Sequence, residues 1–146
     1  PAASDPVARF LAFDFYPYRD AFECRTADEY LRSLKRQELR TLAGERVRSH
    51  EELVIANWLF RQGVRYVYEA DYEHDTRDAH RRQYQPDFHL PDARVYVEHF
   101  GIDRAGRTAP FVDRARYRTD MEWKRALHRD RGTTLVETYS YEYREG

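Results

Sequence analysis

The 146-residue chain has a single cysteine, Cys24, so it cannot form an internal disulfide. That suits a reducing compartment, and the expectation is a cytoplasmic location. Methionine is also single, Met121, and the chain starts at Pro1. Either an initiator has been trimmed or this is a piece of something longer. No apolar run approaches the ~18 residues that a membrane span needs, and no signal-peptide pattern is present, so no membrane partner is expected. The GxxxxGK[ST] phosphate-binding signature is missing, which excludes an ATP-driven motor. Internal repeats and low-complexity tracts are missing too. Nor does one charge dominate: 25 Lys and Arg face 26 Asp and Glu, for a formal net charge of -1. Overall electrostatics therefore demand no polyanionic partner.

Aromatic residues are plentiful at 15%, with twelve tyrosines. They can cap a small core or stack on bases. Charge is unevenly spread: residues 100–132 hold nine Lys/Arg against five Asp/Glu, and residues 51–79 hold three against seven. The length gives room for one compact domain with an ordinary core.

The first 25 residues, aromatic-rich and interrupted by Pro6 and Pro17, read as an arm or linker. A surface helix follows, with Thr26 as N-cap, Glu29 as capping-box partner and Gly44 as terminator. Its apolar stripe is narrow: Ala27, Tyr30, Leu31 and Leu34. A second helix starts at the Ser49 cap and stops at Gly63, and Leu53, Ile55, Ala56, Leu59 and Phe60 make it apolar around most of its girth. The run VRYVYEADYE predicts a strand and HDTRDAHRR a polar loop. QYQPDFHLPDARVYVEHFG, residues 83–101, predicts two short strands joined by a tight turn. A long helix is expected from about Val112 to Arg129, ended by Gly132, with a last strand in TTLVETYSY. From Ser49 onward the order is helix, three strands, helix, strand.

Alternation puts Tyr84, Pro86, Phe88 and Leu90 on one face of the first hairpin strand, and Gln85, Asp87 and His89 on the other. On the second strand Val95, Val97 and His99 oppose Tyr96, Glu98 and Phe100. A hairpin can thus bring Asp87 and Glu98 within reach of one hard divalent cation such as Mg²⁺. The same carboxylates could instead be solvated, or paired with Arg81, Arg82 or Arg94. A helical face formed by Tyr117, Met121, Lys124 and His128 lies downstream. His74, Asp75, Asp78 and His80, in a polar loop, are expected to face solvent.

Pro86-Asp87, ten intervening residues and Glu98, between an acid-bearing helix and a basic one, resemble the PD-(D/E)XK nuclease pattern. More narrowly, RSHEELVIANWLFRQGVRYVYE, YQPDFHLPD, VYVEHFGID, MEWKRALH and GTTLVETYS occur in order. They look like the nuclease-like domain inserted in some UvrD/Rep-type superfamily 1 helicases related to helicase IV. The resemblance covers roughly residues 27–146. It implies an α/β, restriction-endonuclease-like core, αβββαβ, with a mixed sheet flanked by helices. Residues 49–146 would be the nuclease-like domain, and residues 1–48 an N-terminal arm and surface helix without assigned function. It also favours a piece excised from a longer chain.

The resemblance implies a Mg²⁺ or Mn²⁺ ion held by Asp87, Glu98 and the backbone carbonyl of His99, with Glu52 completing the set. Glu51 takes that role if the register is off by one; otherwise both acids can simply favour the helix N-terminus. The family places a lysine two residues after the glutamate, and here that position is Phe100. Some members supply the lysine from the next helix, which points to Lys124. Arg114, Arg116, Arg118 and Arg125 could track a DNA backbone, and His89 could touch phosphate. The implied function is metal-dependent hydrolysis of DNA phosphodiesters, as part of a helicase chain acting in DNA repair or recombination. The alternative is an inactive nuclease fold retained as a DNA- or protein-docking module, with Phe100 its best support.

Overall fold

One strand buried on both faces, residues 95–100, forms the centre of the molecule, for which a computed structural model describes residues 20–37 and 39–145. The helices are α1 (Ala27–Gln37), α2 (His50–Arg61), α3 (Arg114–Arg131) and α4 (Ser140–Glu145). The strands are β1 (Val67–Tyr68), β2 (Phe88–Leu90), β3 (Val95–Phe100) and β4 (Thr134–Tyr139). They make one mixed α/β sheet in the order β1-β2-β3-β4. β1, β2 and β3 pair antiparallel, and β4 lies parallel to β3. A parallel neighbour cannot be reached by a tight turn, and α3 supplies the crossover. Among the described residues no helix is long and apolar enough to cross a membrane.

The pleat sends alternate side chains to different helices. Phe88 and Val97, a cross-strand pair, pack with Ala56 and Leu59 of α2. Tyr96, one residue along β3, packs with Tyr72 and Tyr84 against Trp123 and Leu127 of α3. The sheet is therefore a middle layer with a helix on each face. Leu39, Val47 and Leu53 add a small third cluster that ties the N-terminal segment to α2.

Sequence signals account for most boundaries. Ser49 Oγ accepts the Glu52 N–H at 3.1 Å and starts α2. Asp113 caps α3 through the Arg116 N–H, and Gly132, left-handed at φ 70°, ends it. Thr26 Oγ1 accepts the Glu29 N–H at 3.2 Å, as a capping box requires.

Four expectations need correction. α1 stops at Gln37, well short of Gly44. Leu39 and Val47 bury themselves by folding the chain back, with Arg40 bridged to Arg46 and the Val47 N–H on the Leu39 carbonyl. Gly44, at φ +103°, serves that turn instead of a helix end. The strand expected over residues 64–73 keeps only two ladder residues, because Glu69 adopts φ 47° and bends it. Single hydrogen bonds, Glu69 N–H to Asp87 O and Tyr72 N–H to Tyr84 O, carry the pairing on. Tyr84 does not share the Phe88 face: Pro86 has no N–H for a ladder, β2 begins only at Phe88, and period-two alternation does not extend back. Finally, the last strand ends at Tyr139, whose N–H is taken by Glu142, and α4 follows. The arm expected over residues 1–25 lies mostly outside the described residues.

Phe88 is 0% exposed and touches the rings of Tyr66 and Tyr68. Phe88→Ala should lower the unfolding free energy by about 3–5 kcal/mol, read from urea denaturation.

Candidate active site

The β2–β3 register, Phe88 opposite Val97, carries Asp87 to a position opposite Glu98. Glu98 lies on the α3 side of the sheet, where Lys124 reaches it. Asp87 Oδ2 accepts the backbone N–H of His99 at 2.6 Å. Glu98, only 1% exposed, has both oxygens occupied. Tyr84 donates its hydroxyl to Oε1 at 2.7 Å, and Lys124 Nζ stands 2.6 Å from Oε2. The helical face of Tyr117, Met121, Lys124 and His128 does meet the sheet: Tyr117 Oη accepts the Gly101 N–H at 2.8 Å, and Met121 and His128 are buried. Lys124 also lies 3.6 Å from Asp120.

The acids outnumber the amine. Desolvation, then the charges of Glu98 and Glu52, hold the Asp87 carboxyl well above the usual carboxylate range, against the His99 N–H and Lys124. Glu52 is also raised, by desolvation first and by Glu69, while the Tyr68 and Arg48 hydrogen bonds oppose the rise. Burial alone would lower the Lys124 ammonium, but Glu98, Asp87 and Asp120 outweigh it and raise it.

The two α2 acids do different work. Glu52 accepts the Arg48 N–H at 3.1 Å and the Tyr68 hydroxyl at 2.7 Å, so it both ties down the residue before the Ser49 cap and faces Asp87 electrostatically. Glu51 reaches the opposite face of β3, where it meets His99 Nε2 and Ser140 Oγ, each at 2.5 Å. His99 Nδ1 meets Thr138 Oγ1 at 2.8 Å. The His99 side chain therefore leaves the acidic pair, while its backbone stays beside Asp87. Desolvation works against the Glu51 carboxylate, yet the His99 and Ser140 hydrogen bonds win and lower its pKa. Sequence reasoning offered Glu51 a helix-terminus role, or the helix-acid role in a shifted register, and neither includes the contacts with His99 and Ser140. Its partners sit 48 and 89 residues away, so no local pattern could reveal them.

Other expected residues fall outside this cluster. Arg125 is committed to Glu137, at 2.7 and 2.9 Å, and to Glu122. Arg114, Arg116 and Arg118 are exposed on the first turns of α3. His89 stacks on Tyr96 with ring centres 4.5 Å apart. Asp75, Asp78 and His80 are exposed, with Asp75 on Arg77 and Asp78 taking the His80 and Arg81 N–H groups. Phe100, 1% exposed, carries Lys124 and Arg125 over its ring.

Among the described residues, no group of three or more His, Cys, Asp or Glu side chains is arranged as a ready metal cage. The donor set here is all oxygen: Asp87 and Glu98, with Glu52 adding its charge and Lys124 supplying one positive charge. That surplus of negative charge fits a hard divalent cation, which needs only one or two carboxylates and completes its shell with water. Comparisons with family models, with curated proteins and with solved structures give no match.

The raised Asp87 pKa sets a sign. Its proton is held more tightly in the folded state, so the contribution to stability is full below the unfolded value of about 4 and is lost as pH rises through the folded value. In EDTA, urea midpoints should show the wild type losing ground to Asp87→Asn as pH climbs from 4 to 8. A pH-independent difference between the two would contradict the assignment.

Proposed function

We propose that this chain is a metal-dependent phosphodiesterase acting on DNA, built on a restriction-endonuclease-like core of the PD-(D/E)XK type. One observation carries the reading: Asp87, just before β2, holds the His99 N–H and feels the charge of Glu98, and the next helix delivers Lys124 to Glu98 at 2.6 Å. An amine two residues past the glutamate would occupy the position of Phe100, so Lys124 makes up that departure from the other side of the same face.

Asp87, Glu98 and the His99 carbonyl would hold a Mg²⁺ or Mn²⁺ ion, with Glu52 as the nearby helix acid. Such an ion lowers the pKa of water and offsets charge building on the phosphate. The chain's own groups do the rest. The His99 N–H holds one Asp87 oxygen and leaves the other available. Lys124, kept protonated by its acidic neighbours, can orient water or steady the transition-state oxygens. The exposed Arg114, Arg116 and Arg118 lie on the first turns of α3 and can neutralise phosphates nearby. Membership of a superfamily 1 helicase chain, and a place in repair or recombination, belong to the same proposal.

The test is a nicking and degradation assay on single- and double-stranded DNA with Mg²⁺, Mn²⁺ or EDTA. Asp87→Ala and Glu98→Ala should each cut the rate by roughly 10²-fold or more, as should Lys124→Ala, with folding checked by circular dichroism. DNA binding without cleavage would instead favour a docking module. Cleavage by Asp87→Ala at the wild-type rate would overturn the site.

A further inference from the structure

A chain of hydrogen bonds runs through the tyrosine cluster under α3 and ends on Glu98. Tyr72 Oη lies 2.6 Å from Thr133 Oγ1, Thr133 Oγ1 lies 2.7 Å from His128 Nδ1, and His128 Nε2 lies 3.2 Å from Tyr84 Oη. Tyr84 then meets Glu98 Oε1 at 2.7 Å. With the His128 ring neutral, only one assignment of donors satisfies all of these contacts. A carboxylate accepts only, so the Tyr84 O–H must point at Glu98, and its oxygen accepts from His128 Nε2–H. Nδ1 is then the acceptor for the Thr133 hydroxyl, and Thr133 in turn accepts from Tyr72. All four donors point the same way, and aligned bonds of this kind polarise one another.

Packing holds the members in place. His128 is 2% exposed, and its ring lies within 5.0–5.7 Å of the rings of Tyr72, Tyr96 and Tyr84. Burial, with Lys124 assisting against Glu73, lowers its pKa to about 4, so the ring is neutral at pH 7 and keeps one donor and one acceptor nitrogen. Thr133 is aimed by the helix end: the left-handed Gly132 turns the chain so that the Thr133 N–H bonds the His128 carbonyl at 3.0 Å.

We infer that Tyr84 is a positioning residue for Glu98, the end of a directional relay from Tyr72 through Thr133 and His128. This rests on the metal-site reading above. A carboxylate offers about four lone-pair sites. Tyr84 takes one on Oε1 and Lys124 one on Oε2, which fixes the plane of the group and leaves defined directions for a cation. Rotation of Glu98 about its last bond would break a neutral and a charged contact together. Groups that orient a ligand in this way typically govern metal affinity.

The probe is Mn²⁺ alone, titrated calorimetrically into the full chain and its variants, with urea midpoints measured in parallel. Tyr84→Phe keeps the ring and removes the donor, and should weaken Mn²⁺ binding about 10–100-fold. Thr133→Val breaks the relay two links away and should weaken it by a smaller factor; it decides the matter if Tyr84→Phe does not fold. A hydroxyl that served packing only would lower the urea midpoint and leave Mn²⁺ uptake unchanged. Unchanged uptake in Tyr84→Phe, with uptake lost in Asp87→Ala, overturns the relay alone. No uptake by the wild type overturns the metal site and the relay with it.

Discussion

A carboxylate sealed inside a protein has to be compensated, and the architecture around Glu98 follows from that requirement. Stripping a charge of water costs several kcal/mol unless partners replace the lost solvent. Glu98 gains one charged partner from α3 and one neutral donor from the extended segment before β2. Each partner then has its own supports. Lys124 needs the helix face that Tyr117, Met121 and His128 seat on the sheet, and Tyr84 needs the aromatic cluster that excludes water from its hydroxyl. The crossover helix therefore closes a parallel pairing and delivers a countercharge at once.

Much of this was legible in the residues. Caps at Ser49 and Gly132, the hairpin around Pro91, and the helical spacing of Tyr117, Met121, Lys124 and His128 are local signals, and the backbone obeys them. Alternation put Glu98 on the same face as Tyr96 because β3 is a regular strand. It misplaced Tyr84 because regularity ends at Pro86. The helix expected to run to Gly44 stopped at Gln37, since burial of Leu39 and Val47 outweighed continued helix propensity. Contacts across long sequence separations, Glu51 with Ser140 or Tyr72 with Thr133, leave no mark on spacing at all.

Residue 99 joins the two faces of the sheet. Its amide holds Asp87 on one side, and its ring is gripped by Glu51 and Thr138 on the other. A shift of β3 along its neighbours would disturb both sets together. Register at this point is thus fixed by polar contacts as well as by the apolar pair Phe88 and Val97.

The parallel arrangement of β3 and β4 also shapes how the chain reaches its native state. The β2–β3 hairpin closes a short loop and can form early, whereas β4 must wait for a whole helix to cross over. An early hairpin brings together two like charges with no ammonium at hand, and that repulsion works against its persistence. Docking of the crossover helix removes the penalty, so strand pairing and helix docking reinforce each other and the assembly is driven towards a single cooperative step.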